Sequence, residues 1–253
     1  VSAPRFLVPI VDPAARVVAL PDDEAHHARR VLRLSTGDPV RVFDGAGREW
    51  SGTVHEAGAR QVTVTLDTEV AAVAEPPVAV RLAIGLLKGD QMDTVVREAT
   101  MLGAAAILPL VSARVVAPGR ARVDAARERW RRVAVQAAKQ CGRAVVPTID
   151  APLTFDELLL DDSFDARVML AEPATGEGAP AAPSAIPAIE AMTHPDRAPR
   201  ALVLIGPEGG WTSGEVRAAL AGSVHLLRLG PRTLKAETAP TVALTALWER
   251  WGW

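Results

Sequence analysis

The rhythm of this chain changes once, near Val78, and that change limits its possible folds more than any other feature. Up to about residue 70, short apolar stretches are separated by glycine-containing turns at Gly37, Gly45, Gly47 and Gly58. This pattern predicts strands at 17–20, 40–43, 50–55 and 61–66 around one helix from 22 to about 34, closely spaced enough for a small β-barrel. Beyond Val78, apolar strands alternate with helical stretches, the rhythm of an α/β domain with a mainly parallel sheet. Strands are expected at 80–86, 105–110, 168–171, 201–205 and 224–229, with helices at 90–102, 124–140, 155–160 and about 238–251. Thr212-Ser213-Gly214-Glu215 has the form of a capping box and should open another helix. Residues 173–199, rich in Pro, Ala and Gly, predict a loop around one short helix at 186–192. Two domains follow, 1–72 and 78–253, joined by a linker containing Glu75-Pro76-Pro77.

Nearly half of the 253 residues are apolar, enough for a sizeable core. No apolar run reaches membrane-spanning length, and Val1-Ser2-Ala3-Pro4-Arg5-Phe6 lacks the pattern of a secretory signal. A single cysteine, Cys141, excludes an internal disulfide framework, so a cytoplasmic protein is expected. The five histidines and one cysteine show no ligand spacing, so no metal is expected. The net charge of −2 hides an asymmetry: nine Lys/Arg against two acids between Arg114 and Arg143, then ten acids against Arg167 and Arg197 between Asp150 and Arg197. That suits either a basic face for an anionic partner or two solvated surfaces of opposite sign.

In open parallel sheets ligands bind beyond the carboxyl ends of the strands. Three segments lie there: Ala171-Glu172, Ile205-Gly206-Pro207-Glu208-Gly209-Gly210, and the run from Leu229 to Ala239. Glycines directly after an apolar strand admit a ligand to the backbone, although many strand-to-helix turns use glycine for geometry alone. Neither a Gly-x-Gly-x-x-Gly nor a phosphate-loop pattern is present, and Glu208 places negative charge where a phosphate cradle needs bare N–H groups. A ligand with an adenine to bury and a positively charged reactive centre fits better, S-adenosylmethionine among others.

Leu204-Ile205-Gly206-Pro207-Glu208-Gly209-Gly210 and Leu229-Gly230-Pro231-Arg232-Thr233-Leu234-Lys235-Ala236-Glu237-Thr238-Ala239 resemble the two signature segments of the RsmE family in the SPOUT superfamily. Pro4-Arg5-Phe6, His27-x-x-Arg30-Val31-Leu32-Arg33 with Gly37-Asp38, and Gln140-Cys141-Gly142-Arg143 agree with it as well, so the resemblance spans nearly the whole chain. Lys235 stands where the family more often carries arginine; lysine keeps the charge but loses the planar fork that a bidentate contact there needs. The resemblance implies a SPOUT-type trefoil-knotted α/β domain with a mainly parallel sheet, preceded by a small PUA-like β-barrel that helps hold RNA. It further implies a homodimer, S-adenosyl-L-methionine bound in the knot, and methylation of N3 of one uridine in 16S-type small-subunit ribosomal RNA or the assembled 30S-type particle.

On this reading Ala171, Glu172, Ile205, Gly206, Pro207, Gly209, Gly210, Leu229, Gly230, Leu234, Thr238 and Ala239 hold the cofactor. Methylating N3 requires loss of its proton and charge build-up on the pyrimidine carbonyls, which makes Arg232 and Glu237 the candidate catalytic pair. The alternative is an Arg232–Glu237 ion pair that only fixes the loop. RNA contacts are expected from Arg5, from His27, Arg30 (or Arg29 in its place) and Arg33 on the first helix, and from Arg129, Arg132, Gln136, Gln140 and Arg143 on the long one. Ala25, Ala28 and Leu32, and likewise Trp130, Val133 or Ala134, and Ala137, form the opposite, core-facing stripes. Trp248, Trp251 and Trp253 suit either core or a dimer surface. Competing readings are a SPOUT methyltransferase acting on transfer RNA or a ribose 2′-hydroxyl, and a non-catalytic RNA-binding ribosome-assembly factor. A nucleotide-dependent doubly wound enzyme is weakened by the missing phosphate motifs.

Overall fold

The computed structural model describes residues 3–9, 11–12, 16–115, 119–172 and 197–253. The helix expected at 186–192 lies outside the described residues. The chain divides into two compact units, residues 1–75 with 135–146, and residues 76–134 with 147–253. The segment 135–146 had been expected in the second domain.

In the first unit, strands β1 (Arg5–Leu7), β2 (Val17–Ala19), β3 (Pro39–Phe43), β4 (Glu49–Ala57) and β5 (Val62–Val70) form one sheet in the order β1-β3-β4-β5-β2. The β1/β3 pair is parallel and the others are antiparallel. Phe6 and Val18, from the two edge strands, belong to a single buried cluster with Ala25, Ala28, Val40, Val42, Val54, Val62 and Val64. Both edges therefore curl toward one core, and each fully buried valine or phenylalanine in it contributes about 1.5–3 kcal/mol. Helix α1 (Asp22–His26) closes the core and widens into one π-helical turn over His27–Val31, where the Leu32 N–H donates to the His27 carbonyl. The wider turn ends the helix before residue 34 and swings Leu32 outward, so it leaves the predicted core stripe. Leu34 packs against the core instead.

The second unit is built on a parallel sheet. Its strands are β6 (Ala79–Gly85), β7 (Ala106–Val111), β8 (Thr148–Ile149), β9 (Leu153–Thr154), β10 (Ala166–Leu170), β11 (Arg200–Ile205) and β12 (His225–Leu227). They run in the order β12-β10-β11-β6-β7-β8, with β9 also on β7, and every ladder is parallel. Side chains alternate between the faces of a strand. One face carries Ala83, Leu108, Leu110, Met169, Leu202 and Leu204, in a cluster with Phe155, Leu158 and Ala219 from helices α4 (Phe155–Leu159) and α5 (Ser213–Ala221). Thr212 accepts from the Glu215 N–H and Glu215 accepts from Thr212, the predicted capping box. The same device, Thr154 with Glu157, opens α4, and its hydrogen bonds hold the Glu157 carboxyl below the usual carboxylate range.

Helices α2 (Gln91–Met101), α3 (Arg120–Cys141) and α6 (Ala239–Trp251) complete the described elements. The Trp248 indole donates to the Leu102 carbonyl at 2.6 Å, and Thr241 donates to Glu98, which fastens α6 to α2. Among the described residues no helix is long and apolar enough to cross a membrane.

Candidate functional site

The strand order reverses between β6 and β11: the chain continues from β6 to β7 on one side, while β11 pairs on its other side with β10. Ligands of open parallel sheets bind at such a switch point, beyond the carboxyl ends. Backbones approach closely here, and a Cβ on Gly85, the last residue of β6, would lie 2.5 Å from the Pro207 nitrogen. Only glycine fits that position.

A cavity of about 440 Å³ opens at this place, the volume of a small-molecule site. Of the residues expected to hold a cofactor, Ala171, Glu172, Ile205, Gly206, Pro207, Gly210, Leu229, Gly230, Leu234 and Ala239 line it. Arg232 and Glu237, the expected catalytic pair, line it as well. Three segments far apart in sequence thus converge on one cavity. Gly230 adopts φ +101 beside open space, a conformation that favours glycine and leaves room at the backbone.

Two expected cofactor residues stand outside. Gly209 is covered by Arg114, whose guanidinium donates to the Gly209 carbonyl, while Thr238 sits at the N-terminus of α6 and is not part of the lining. The alternative ion pair between Arg232 and Glu237 is not among the described salt bridges. Glu237 instead lies 3.9 Å from the exposed Lys235 ammonium, and Arg232 is exposed at the cavity without an ion-pair partner among the described residues.

Sequence reasoning missed Gln91, Leu170 and Trp211. The Trp211 Nε1 donates to the Leu170 carbonyl at 2.8 Å and its ring covers Gly206. Gln91 orients its amide so that the nitrogen donates to the Lys88 carbonyl at 3.2 Å and to Glu208 Oε1 at 2.9 Å, while the Lys88 N–H donates to the same oxygen at 3.1 Å. A signal existed for Trp211, which follows the last glycine of the Gly206–Gly210 motif directly.

The expected RNA contacts separate into two groups. Arg5 and Arg143 are corrected from surface contacts to structural residues. The Arg5 guanidinium clasps the buried Glu49 carboxylate at 2.9 Å and donates to the carbonyls of Ala138 at 2.7 Å and Arg143 at 3.1 Å, so it caps the end of α3. Arg143 is only 4 % exposed and chelates Glu75 through Nε at 2.9 Å. Lys139 is tied likewise to buried Glu24 at 2.6 Å. Arg30, Arg33, Arg132, Gln136 and Gln140 are exposed and His27 is half-buried, whereas Arg129 is exposed but paired with Asp93 at 2.8 Å. Arg29, left open as an alternative to Arg30, instead donates to the carbonyls of Gly58 and Ala59. Trp248 is core, and Trp253 stands 47 % exposed against its edge at 5.3 Å. Among the described residues no group of three His, Cys, Asp or Glu could hold a metal.

The family described as RNA methyltransferase domain matches residues 74–248, and that described as RNA methyltransferase PUA domain matches residues 20–67. The chain is 35 % identical to a ribosomal RNA small subunit methyltransferase E of Synechocystis, over 98 % of this chain and 78 % of the relative. It is 32 % identical to the Bacillus subtilis protein of the same name, over 92 % and 90 %. The crystal structure of a ribosomal RNA small subunit methyltransferase E from Neisseria gonorrhoeae bound to S-adenosyl methionine aligns with a TM-score of 0.83 at 27 % identity, covering 99 % of this chain and 98 % of that one.

Proposed function

Because this chain belongs to the RNA methyltransferase family that includes the ribosomal RNA small subunit methyltransferases E, we propose that it methylates N3 of one uridine in small-subunit ribosomal RNA with S-adenosylmethionine. The observation that carries this reading is the convergence of Glu172, the Gly206–Gly210 loop and the Leu229–Ala239 loop on one 440 Å³ cavity at the switch point. The residues fit the cofactor. Leu229, Gly230, Leu234 and Ala239 offer small and apolar contacts with nearby backbone groups for an adenine, while Glu172 and Glu208 supply negative charge for a cationic group. When bound, the cofactor supplies an electrophilic methyl group.

The chain's own residues do the rest. The Arg232 guanidinium, exposed at the cavity, stabilises the negative charge that develops on the pyrimidine carbonyls. Glu237 accepts the N3 proton or orients Arg232. His27, Arg30 and Arg33, with Arg132, Gln136 and Gln140 on the long helix, hold phosphates and base edges. In this reading the segments around the cavity form the trefoil knot of the superfamily, residues 1–72 serve as the PUA-like RNA-binding domain, and two copies associate through a surface that includes Trp253.

The test is nucleoside analysis of unmodified small-subunit particles after incubation with the protein and labelled S-adenosylmethionine. N3-methyluridine is expected. Methyl groups on ribose or on transfer RNA would move the acceptor elsewhere, and cofactor-independent RNA binding alone would leave an assembly factor.

A further inference from the structure

Glu172 and Glu208 both line the cavity, and among the described residues neither carboxylate has an ion-pair partner. Glu237, the third acid of the lining, differs because the Lys235 ammonium stands 3.9 Å away. The two unpaired carboxylates are nonetheless held in place. Oε1 of Glu208 accepts from the Lys88 N–H at 3.1 Å and from the Gln91 amide at 2.9 Å, which leaves its other oxygen without a hydrogen bond among the described residues. Both N–H groups of the Gln91 amide are used, one on Lys88 and one on Glu208, so Gln91 is a positioning residue for that carboxylate. Glu172 lies against Gly210, at φ +66, so closely that a Cβ there would collide with its Oε1. A glycine at this turn thus leaves the space the Glu172 carboxylate occupies.

The lining also carries the Arg232 guanidinium and the Lys235 ammonium, but among the described residues neither is within ion-pair distance of Glu172 or Glu208. These two carboxylates therefore raise the affinity of their side of the cavity for a cation and do little for a neutral ligand of the same shape. S-adenosylmethionine and S-adenosylhomocysteine differ by one methyl group and one positive charge. We infer that Glu172 and Glu208 make the cavity select the charge of its occupant, favouring the sulfonium donor over the neutral thioether product. This rests on the reading of the cavity as an S-adenosylmethionine site. Both carboxylates are exposed in the open cavity, which limits the effect, but an occupant that displaces water strengthens it. The selection also weakens with added salt.

The experiment is calorimetric titration of the full chain and of Glu172→Gln, Glu208→Gln and the double variant. Three ligands are used: S-adenosylmethionine, S-adenosylhomocysteine, and sinefungin, in which a carbon bearing an ammonium replaces the methylated sulfonium. In the double variant the affinity for the two cationic ligands should fall by about threefold to tenfold relative to the product, whose own affinity stays within about twofold. Glu208→Asp should restore much of the ratio. Equal weakening of all three ligands would assign the carboxylates a structural role and overturn the inference, as would an unchanged ratio. A wild-type chain that binds none of the three would overturn the cofactor reading and this inference with it, an outcome distinct from the first two.

Discussion

The Trp211 indole nitrogen donates to the Leu170 carbonyl across 2.8 Å, binding the loop after β11 to the end of β10 at the cavity wall. The same ring packs against Phe155 at 5.5 Å between centroids and covers Gly206, so one side chain sets the relation between two of the three converging segments. Trp211→Phe keeps most of the packing and removes the donor to the Leu170 carbonyl. It should cost about 1 kcal/mol of stability in urea unfolding and weaken S-adenosylmethionine about fivefold by calorimetry. Unchanged affinity would show that the loop holds its place without this bond.

Gly85→Ala tests the close approach at the switch point. Its Cβ would lie 2.5 Å from the Pro207 nitrogen and 2.7 Å from Pro207 Cδ, and neither backbone nor ring can fold away as a flexible side chain could. The loop must move, so thermal unfolding should register a loss of about 1–3 kcal/mol together with weaker cofactor binding. Wild-type stability and affinity in this variant would mean that the close approach of Gly85 to Pro207 does not hold the site together.

Arg232→Ala separates catalysis from loop architecture. The guanidinium has no ion-pair partner among the described residues, so its removal should leave cofactor affinity within about twofold and lower the single-turnover rate about 10²–10³-fold. Equal loss of both would return Arg232 to a structural role.

Four arginines divide by burial. Arg5→Ala leaves the buried Glu49 only the more distant Arg41 at 3.6 Å, and Arg143→Ala removes a nearly buried guanidinium from the partly exposed Glu75. Each should cost about 1–3 kcal/mol in unfolding. Arg30→Ala and Arg132→Ala, at exposed positions, should leave stability within about 0.5 kcal/mol and reduce the salt slope of RNA binding by about one each. The reverse pattern would place the RNA on the buried pair.

Much of the fold was legible because its signals are local. The alternation of apolar strands and helices after Val78 survives as the parallel sheet, and the Thr212–Glu215 capping box opens α5 as expected. Short strands β1, β8 and β9 escaped; β8 and β9, unlike the similarly short β2 and β12, do not sit within a longer apolar run. The π-helical turn at His27–Val31 escaped for another reason: periodicity presumes the 3.6-residue turn that it breaks. The cavity was legible from three strand ends followed by glycines, whereas Gln91 became visible only once β6 stood beside β11. Arg5 and Arg143 read as surface cations because sequence shows charge but not the buried carboxylate that meets it.

N3 lies on the Watson–Crick edge of uridine, so a methyl group there stops reverse transcriptase. Extension along the whole small-subunit RNA, after incubation of unmodified particles with the protein and with or without S-adenosylmethionine, therefore tests the central claim most directly. One new cofactor-dependent stop, absent with Arg232→Ala, is the predicted result. No new stop, despite cofactor bound in the cavity, would contradict it.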